Sequence, residues 1–256
     1  MFTMPPDIAT LALSVSMAIA AGLIGCFAVM RRLTVAADPL SHVALPGIAI
    51  ALLLHVNPLV GAILMLLLGA FLIWVIERRS RLATETVIGV VFAVALAIGA
   101  VLATGDELID ALLGGSGTLS EGETVLGIAL ALGVIAFVLR TRNALVVSLV
   151  SSEIAMTSGV NVARLNLYFL LAFALTIGLG LRYLGVLLMG SLIIIPAAIA
   201  RRLAKSLNGM FMISAISAVV STVGGTYAAA GHQSGPFIVM IAGGLFFLTL
   251  LRRRNE

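Results

Sequence analysis

Apolar residues run through this chain in long blocks, and the polar ones are gathered between them. Nine blocks can be drawn, over about 8–30, 39–55, 58–76, 86–103, 125–139, 167–181, 184–200, 209–229 and 236–251. Runs of roughly 18 or more apolar residues predict helices that cross a bilayer. Several blocks are shorter than the roughly 20 residues of a perpendicular crossing, so broken or re-entrant segments are expected. Eight crossings is the alternative to nine. The expected fold class is all-α, a polytopic integral membrane helix bundle organised as a single domain over 1–256. No linker, low-complexity tract or clear repeat divides it. Met1 to Asp7 lack a basic region, and no small-residue cleavage pattern closes the first block. A retained first helix is therefore expected rather than a signal peptide.

Breaks inside the blocks refine this picture. Pro46-Gly47 and Pro196 interrupt apolar segments. A proline inside a helix removes a backbone hydrogen bond and kinks or breaks it. Membrane proteins tolerate such breaks where neighbours or a cavity satisfy the freed carbonyls. In transporters broken helices often line the substrate site, and a plain packing kink is the equally common alternative. Gly178, Gly180, Gly185, Gly190, Gly224 and Gly225 also punctuate the blocks, where small residues let helix backbones approach closely in lipid.

Composition supports the membrane reading, with 61% hydrophobic and 10% charged residues and a mean hydropathy of +1.22. The net charge of +4 would suggest nucleic acid in a soluble protein. Here the basic residues cluster after alternate blocks, at Arg31-Arg32, Arg78-Arg79-Arg81, Arg140-Arg142-Arg164, Arg201-Arg202-Lys205 and Arg252-Arg253-Arg254, with Arg182 as the one violation. The positive-inside rule then puts the N-terminus outside and the C-terminus in the cytoplasm. Trp74, beside Glu77-Arg78-Arg79, reads as an interfacial aromatic anchor. Cys26 is the sole cysteine, which excludes an internal disulfide and a Cys-rich zinc site.

The stretch Asp38-Pro39-Leu40-Ser41-His42 carries the sharpest chemistry. On a helix, Asp38 and His42 share one face with Cβ atoms roughly 5–6 Å apart. An ionisable pair inside a membrane span is a functional candidate by default, and imidazole with carboxylate suits zinc, manganese or iron. The competing reading is equally physical: Asp followed by Pro is a helix N-cap and first-turn signature. His55 reads as a turn residue and His232 as a surface residue or part of an entrance. The 104–124 stretch, with Asp106, Glu107, Asp110, Glu121 and Glu123, reads as a solvated acidic loop, in which Leu108–Leu113 could form a short interfacial helix. Lys205 is the only lysine, and no glycine-rich run precedes it, so the phosphate loop of an ATPase is missing. Gly-x-Ser-x-Gly and His-Glu-x-x-His are missing too, which argues against a membrane hydrolase.

Five stretches together resemble the permease subunits of bacterial zinc/manganese/iron ABC transporters. They are Gly22–Arg32 leading into Asp38–Gly47, Glu85–Gly89, Glu153–Val160, Gly185–Gly190 through Ile195–Arg201, and Ser234-Gly235-Pro236. The resemblance spans nearly the whole chain. It implies a multi-pass bacterial cytoplasmic-membrane subunit working as two copies with two cytoplasmic ATPase subunits and an extracytoplasmic metal-binding protein. No permanently bound cofactor is implied, only the transported metal ion. It also implies that Asp38 and His42 belong to the metal path, with Pro46, Gly47 and Pro196 as helix breaks beside it. A segment over about 150–166, with Glu153, Ala155 and Gly159, would face the ATPase. The charge pattern places Asp38 near the cytoplasmic end of its span, which sits uneasily with a path residue. The alternatives are an ATP-independent metal transporter or channel, and an ABC permease for a metal chelate such as a siderophore.

Overall fold

A computed structural model describes residues 8–34, 36–80, 82–102, 121–184, 186–229 and 233–251, with 182–184 and 186–188 described by backbone alone. Among the described residues every regular element is helical. The elements are α1 (Ile8–Met30), α2 (Ala37–His42), α3 (Leu45–Leu53), α4 (Pro58–Ser80), α5 (Thr84–Leu102), α6 (Glu121–Val150), α7 (Ser152–Thr157), α8 (Val162–Leu184), α9 (Val186–Leu203), α10 (Leu207–Ala228) and α11 (Ser234–Leu251). Seven of them, α1, α4, α5, α6, α8, α10 and α11, are long and apolar enough to cross a membrane, while Ala37–Leu53 is a shorter apolar unit.

Local chemistry sets the helix ends. Ser151 and Ser206 accept hydrogen bonds from Ile154 N and Gly209 N, capping α7 and α10. Asn57 accepts from Leu59 N at 2.9 Å and Asn161 from Arg164 N at 3.0 Å, so α4 and α8 also start on short polar side chains. The expected block 125–139 stopped at Arg140 because arginine lowers hydropathy. Arginine is nevertheless a good helix former, and α6 continues to Val150. Its 30 residues extend about 45 Å, beyond the roughly 30 Å of a hydrocarbon layer.

Helix α1 is the hub. It touches α6, α8, α9 and α10, and 72% of its apolar window is buried, against 17% for α11. In lipid, hydrophobicity does not hold helices together, so close backbone contact and interhelical hydrogen bonds must do so. Ser214 donates to the Gly22 carbonyl at 2.8 Å, and a Cβ on Gly25 would collide with the Ile193 carbonyl of α9.

Among the described residues, three arginines at one end are fastened to helix termini. Arg201 donates to the Val29 carbonyl in the last turn of α1 at 3.1 Å, and Arg202 to Thr249 O near the end of α11 at 3.1 Å. Arg142 donates to Asn208 Oδ1 at the start of α10 at 3.0 Å. Cations at helix C-termini satisfy orphan carbonyls and complement the helix dipole. The opposite end joins the starts of α4 and α6, where Asn57 Nδ2 donates to Glu123 Oε1 at 2.8 Å.

Candidate functional site

The expected block 39–55 is divided. Val43 N and Ala44 N bond back three residues, to Leu40 O and Ser41 O, and a new helix begins at Leu45 with Pro46 in its first turn. Pro46 therefore starts α3, where a missing N–H costs little, instead of kinking a continuous span. Having no N–H, it leaves the His42 carbonyl without the bond an unbroken helix would give it.

Asp38 does not cap α2. The N-cap position is Ala36, with no side-chain cap bond, and Asp38 lies within the helix. The capping alternative is thus replaced: the carboxylate is exposed. Ser41 is buried and its hydroxyl donates to Asp38 O at 2.7 Å. His42 lies one helical turn after Asp38, half-buried. Its Nδ1 is buried without a hydrogen-bond partner, and its ring tilts against Phe92 of α5 at 5.7 Å between centroids. Helix α9 passes directly over this segment: a Cβ on Gly190 would sit 3.2 Å from Asp38 N and 3.3 Å from Asp38 Cα.

That contact places Asp38 along α9. Gly190 precedes Arg201 by eleven residues on α9, so Asp38 lies about 16 Å along that helix from the arginines at its end. After α1 the chain turns back, with Leu33 N bonded to Ala28 O and Leu33 and Ala36 buried.

The three residues expected to break helices are enclosed, and α9 runs on through Pro196 without a break. Gly47 is buried and pairs with Gly61 of α4: a Cβ on either would strike the other's carbonyl oxygen, so the α3 and α4 backbones touch. Pro46 is buried beside it, and Pro196 is buried within α9. Among the described residues, no group of three or more His, Cys, Asp or Glu is arranged to hold a metal.

At the basic end, α7 projects as a short surface helix. Glu153 and Gly159 are exposed and Ala155 is fully buried. Gly159 has φ +81°, with Gly159 N bonded to Met156 O and Val160 N to Ala155 O. This is a Schellman C-cap, whose left-handed residue is usually glycine. Arg32 and His55 occupy the same position after α1 and α3, with φ 61° and 56°. Ile154 and Met156 are each 57% exposed, so α7 presents two large apolar side chains outward.

Four residues escaped the sequence reading. Arg31 donates to Asn166 Oδ1, and Asn166 Nδ2 donates to Glu77 Oε2 at 2.9 Å. Thr84 Oγ1 donates to Glu77 Oε1 at 2.8 Å. The one available signal was Glu77, an acidic residue standing among arginines. Trp74, expected at the lipid interface, donates from Nε1 to Ala163 O at 2.7 Å and so anchors α4 to α8. His232, Leu108–Leu113, Asp106, Glu107, Asp110, Arg81, Gly185 and Arg252–Arg254 lie outside the described residues.

Comparisons with known proteins agree with this architecture. The sequence pattern of the ABC 3 transport family matches residues 8–253. The chain is 30% identical over 241 residues to the high-affinity zinc uptake system membrane protein ZnuB of Haemophilus influenzae, covering 91% of this chain and 92% of that protein. It is 29% identical over 244 residues to the manganese transport system membrane protein MntC of Listeria innocua, covering 93% and 87%. The structure of PsaBC from Streptococcus pneumoniae in complex with Fab superposes with a TM-score of 0.80 at 24% identity, over 94% of this chain and 89% of that one.

Proposed function

Because this chain belongs to the ABC 3 transport family, we propose that it is the membrane permease subunit of an ATP-driven importer for a divalent transition metal. Relatives of similar length bear zinc and manganese transport names, and zinc, manganese and iron all suit an imidazole–carboxylate pair. The observation that carries the reading is Asp38 and His42: two ionisable residues one helical turn apart, with no side-chain cap bond at α2 and His42 Nδ1 buried without a hydrogen-bond partner. Polar groups inside a membrane are costly and belong to a path or a partner.

A pair is an incomplete site for zinc, which normally takes four ligands. Two copies related by a twofold axis would bring two carboxylates and two imidazoles together. The His42 carbonyl, which Pro46 has no N–H to bond, adds an oxygen donor in the same turn. An incomplete site in each chain suits transport, since a cation held too firmly is not released. Pro46, Gly47 and Pro196 act behind the path, the first two setting where α3 begins and how closely it lies on α4.

The basic end faces the cytoplasm by the positive-inside rule, with the N-terminus outside. Separate ATPase subunits dock there on the 150–166 segment, where Glu153 and the outward Ile154 and Met156 make contact. Ala155 and Gly159 hold α7 to the bundle. A metal-binding protein delivers the ion from the other side, and alternating access moves it inward.

The test is zinc and manganese uptake by cells lacking their own importer and carrying this chain with its ATPase. Asp38→Ala and His42→Ala should each abolish most uptake while the complex still assembles. Normal uptake by both variants would overturn the path assignment. Met156→Glu should separate the ATPase from the membrane complex on purification; co-purification at wild-type yield would remove α7 from the docking site.

A further inference from the structure

At the basic end a line of hydrogen bonds links Asn166, near the start of α8, to Arg31, the residue that closes α1, and to Glu77 of α4. Asn161 caps α8, and Asn166 stands on its second turn. The amide is held by opposite charges. Its oxygen faces the Arg31 guanidinium and its nitrogen faces Glu77, so a flipped amide would place donor against donor and acceptor against acceptor. Phe169, one turn further, lies under the guanidinium at 4.3 Å from Arg31 Cζ to the ring centroid, a cation–π contact. Burial pushes the Arg31 guanidinium down to about 10, and the Glu77 carboxylate opposes the shift. The cation therefore persists at neutral pH.

This line has α7 at one end and α2 at the other. Helix α7 leads through the Gly159 turn into α8. Arg31 leads through six residues, with Leu33 and Ala36 buried, into α2 and Asp38. Charge-assisted hydrogen bonds are directional and short, so a shift imposed on the start of α8 is passed to the α1–α2 connection. Trp74 and Glu77 bring α4 along, and α4 carries α3 on the Gly61–Gly47 contact.

We propose, resting on the permease reading, that Arg31 is a positioning residue which ties the ATPase-docking segment to the Asp38–His42 site, with Asn166 and Glu77 as its fixed partners, so that ATP hydrolysis and metal movement remain coupled. None of the three touches the ion.

The experiment measures two quantities on the purified complex of this chain with its ATPase and binding protein in proteoliposomes: ATP hydrolysis, and uptake of zinc or manganese salt. Arg31→Lys keeps the charge and loses the planar fork. Asn166→Asp sets a carboxylate against Glu77, and Glu77→Gln removes the charge at equal volume. Each variant should assemble and hydrolyse ATP within about twofold of wild type while metal moved per ATP falls at least about fivefold, the lower end of usual allosteric couplings. Arg31→Gln with Glu77→Gln should be no worse than Arg31→Gln alone, because members of one unit are not additive. An unchanged metal-to-ATP ratio in assembled Asn166→Asp and Glu77→Gln would overturn the proposal. So would hydrolysis and uptake falling in proportion, the mark of a purely structural role. If Arg31 variants fail to assemble, the Asn166 and Glu77 variants decide alone, since both leave Arg31 over Phe169. A wild-type complex that moves no metal with ATP would instead sink the permease reading, and the proposal with it.

Discussion

Arg31 and Asp38 stand seven residues apart on one connection, yet their surroundings are opposite. Around Arg31 the polar atoms are spoken for: guanidinium, amide, carboxylate and hydroxyl follow one another across four helices, over an aromatic ring. Arg31 Nε alone, buried, lacks a partner. Around Asp38 the reverse holds. The carboxylate is exposed and caps nothing, His42 Nδ1 is buried without a partner, and Pro46 deprives the His42 carbonyl of a helix bond. A buried polar group without a partner costs free energy that evolution removes unless the group is used. The first cluster joins four helices through its hydrogen bonds; the second leaves His42 Nδ1 buried and unbonded.

Five variants sharpen or break that contrast. The largest effect is expected at the second cluster and in function only. Asp38→Ala and His42→Ala should lower metal uptake by about 10–100-fold or more, the range seen when metal sites lose a supporting group. Asp38→Ala should shift the unfolding midpoint in detergent by less than about 0.5 kcal/mol, as expected where no partner is lost. A clear destabilisation would show that Asp38 has a structural bond after all. Asn166→Leu comes next and should do the opposite. It strands Arg31 and Glu77 together, so stability falls by about 1–3 kcal/mol, and an unchanged midpoint would mean the line of bonds holds nothing.

Gly190→Ala lies between the two. Its Cβ would come 3.2 Å from Asp38 N, and overpacking of this kind costs about 1–3 kcal/mol. Uptake should fall several-fold through displacement of Asp38; full uptake would show that the site tolerates movement of α9. The smallest effect is expected for Trp74→Phe, which deletes the bond to Ala163 O and keeps most of the ring. Thermal unfolding should report a loss of about 1 kcal/mol, with uptake nearly unchanged.

Much of this protein was open to reading before the structure. Apolar block length, the alternation of arginines and the Asp38-Pro39-Leu40-Ser41-His42 spacing gave the bundle, the gathering of arginines at one end and the candidate ion pair. Block ends were less legible. Hydropathy stops at Arg140 and begins again after Asn166, whereas α6 runs to Val150 and α8 starts at Val162, because helix formation tolerates arginine and asparagine where the bilayer core does not.

What the residues determine by themselves is whatever depends on type and spacing along one helix: span length against bilayer thickness, charge against the membrane face, and a carboxylate and an imidazole one turn apart. The structure decided which polar groups are paired and which helices lie against them. Arg31 meets Asn166 across 135 residues of sequence, Gly47 meets Gly61 through their backbones, and Asp38 lies against α9 at Gly190. Pairing and placement are set by which helix lies alongside, and packing of the whole bundle chooses that neighbour.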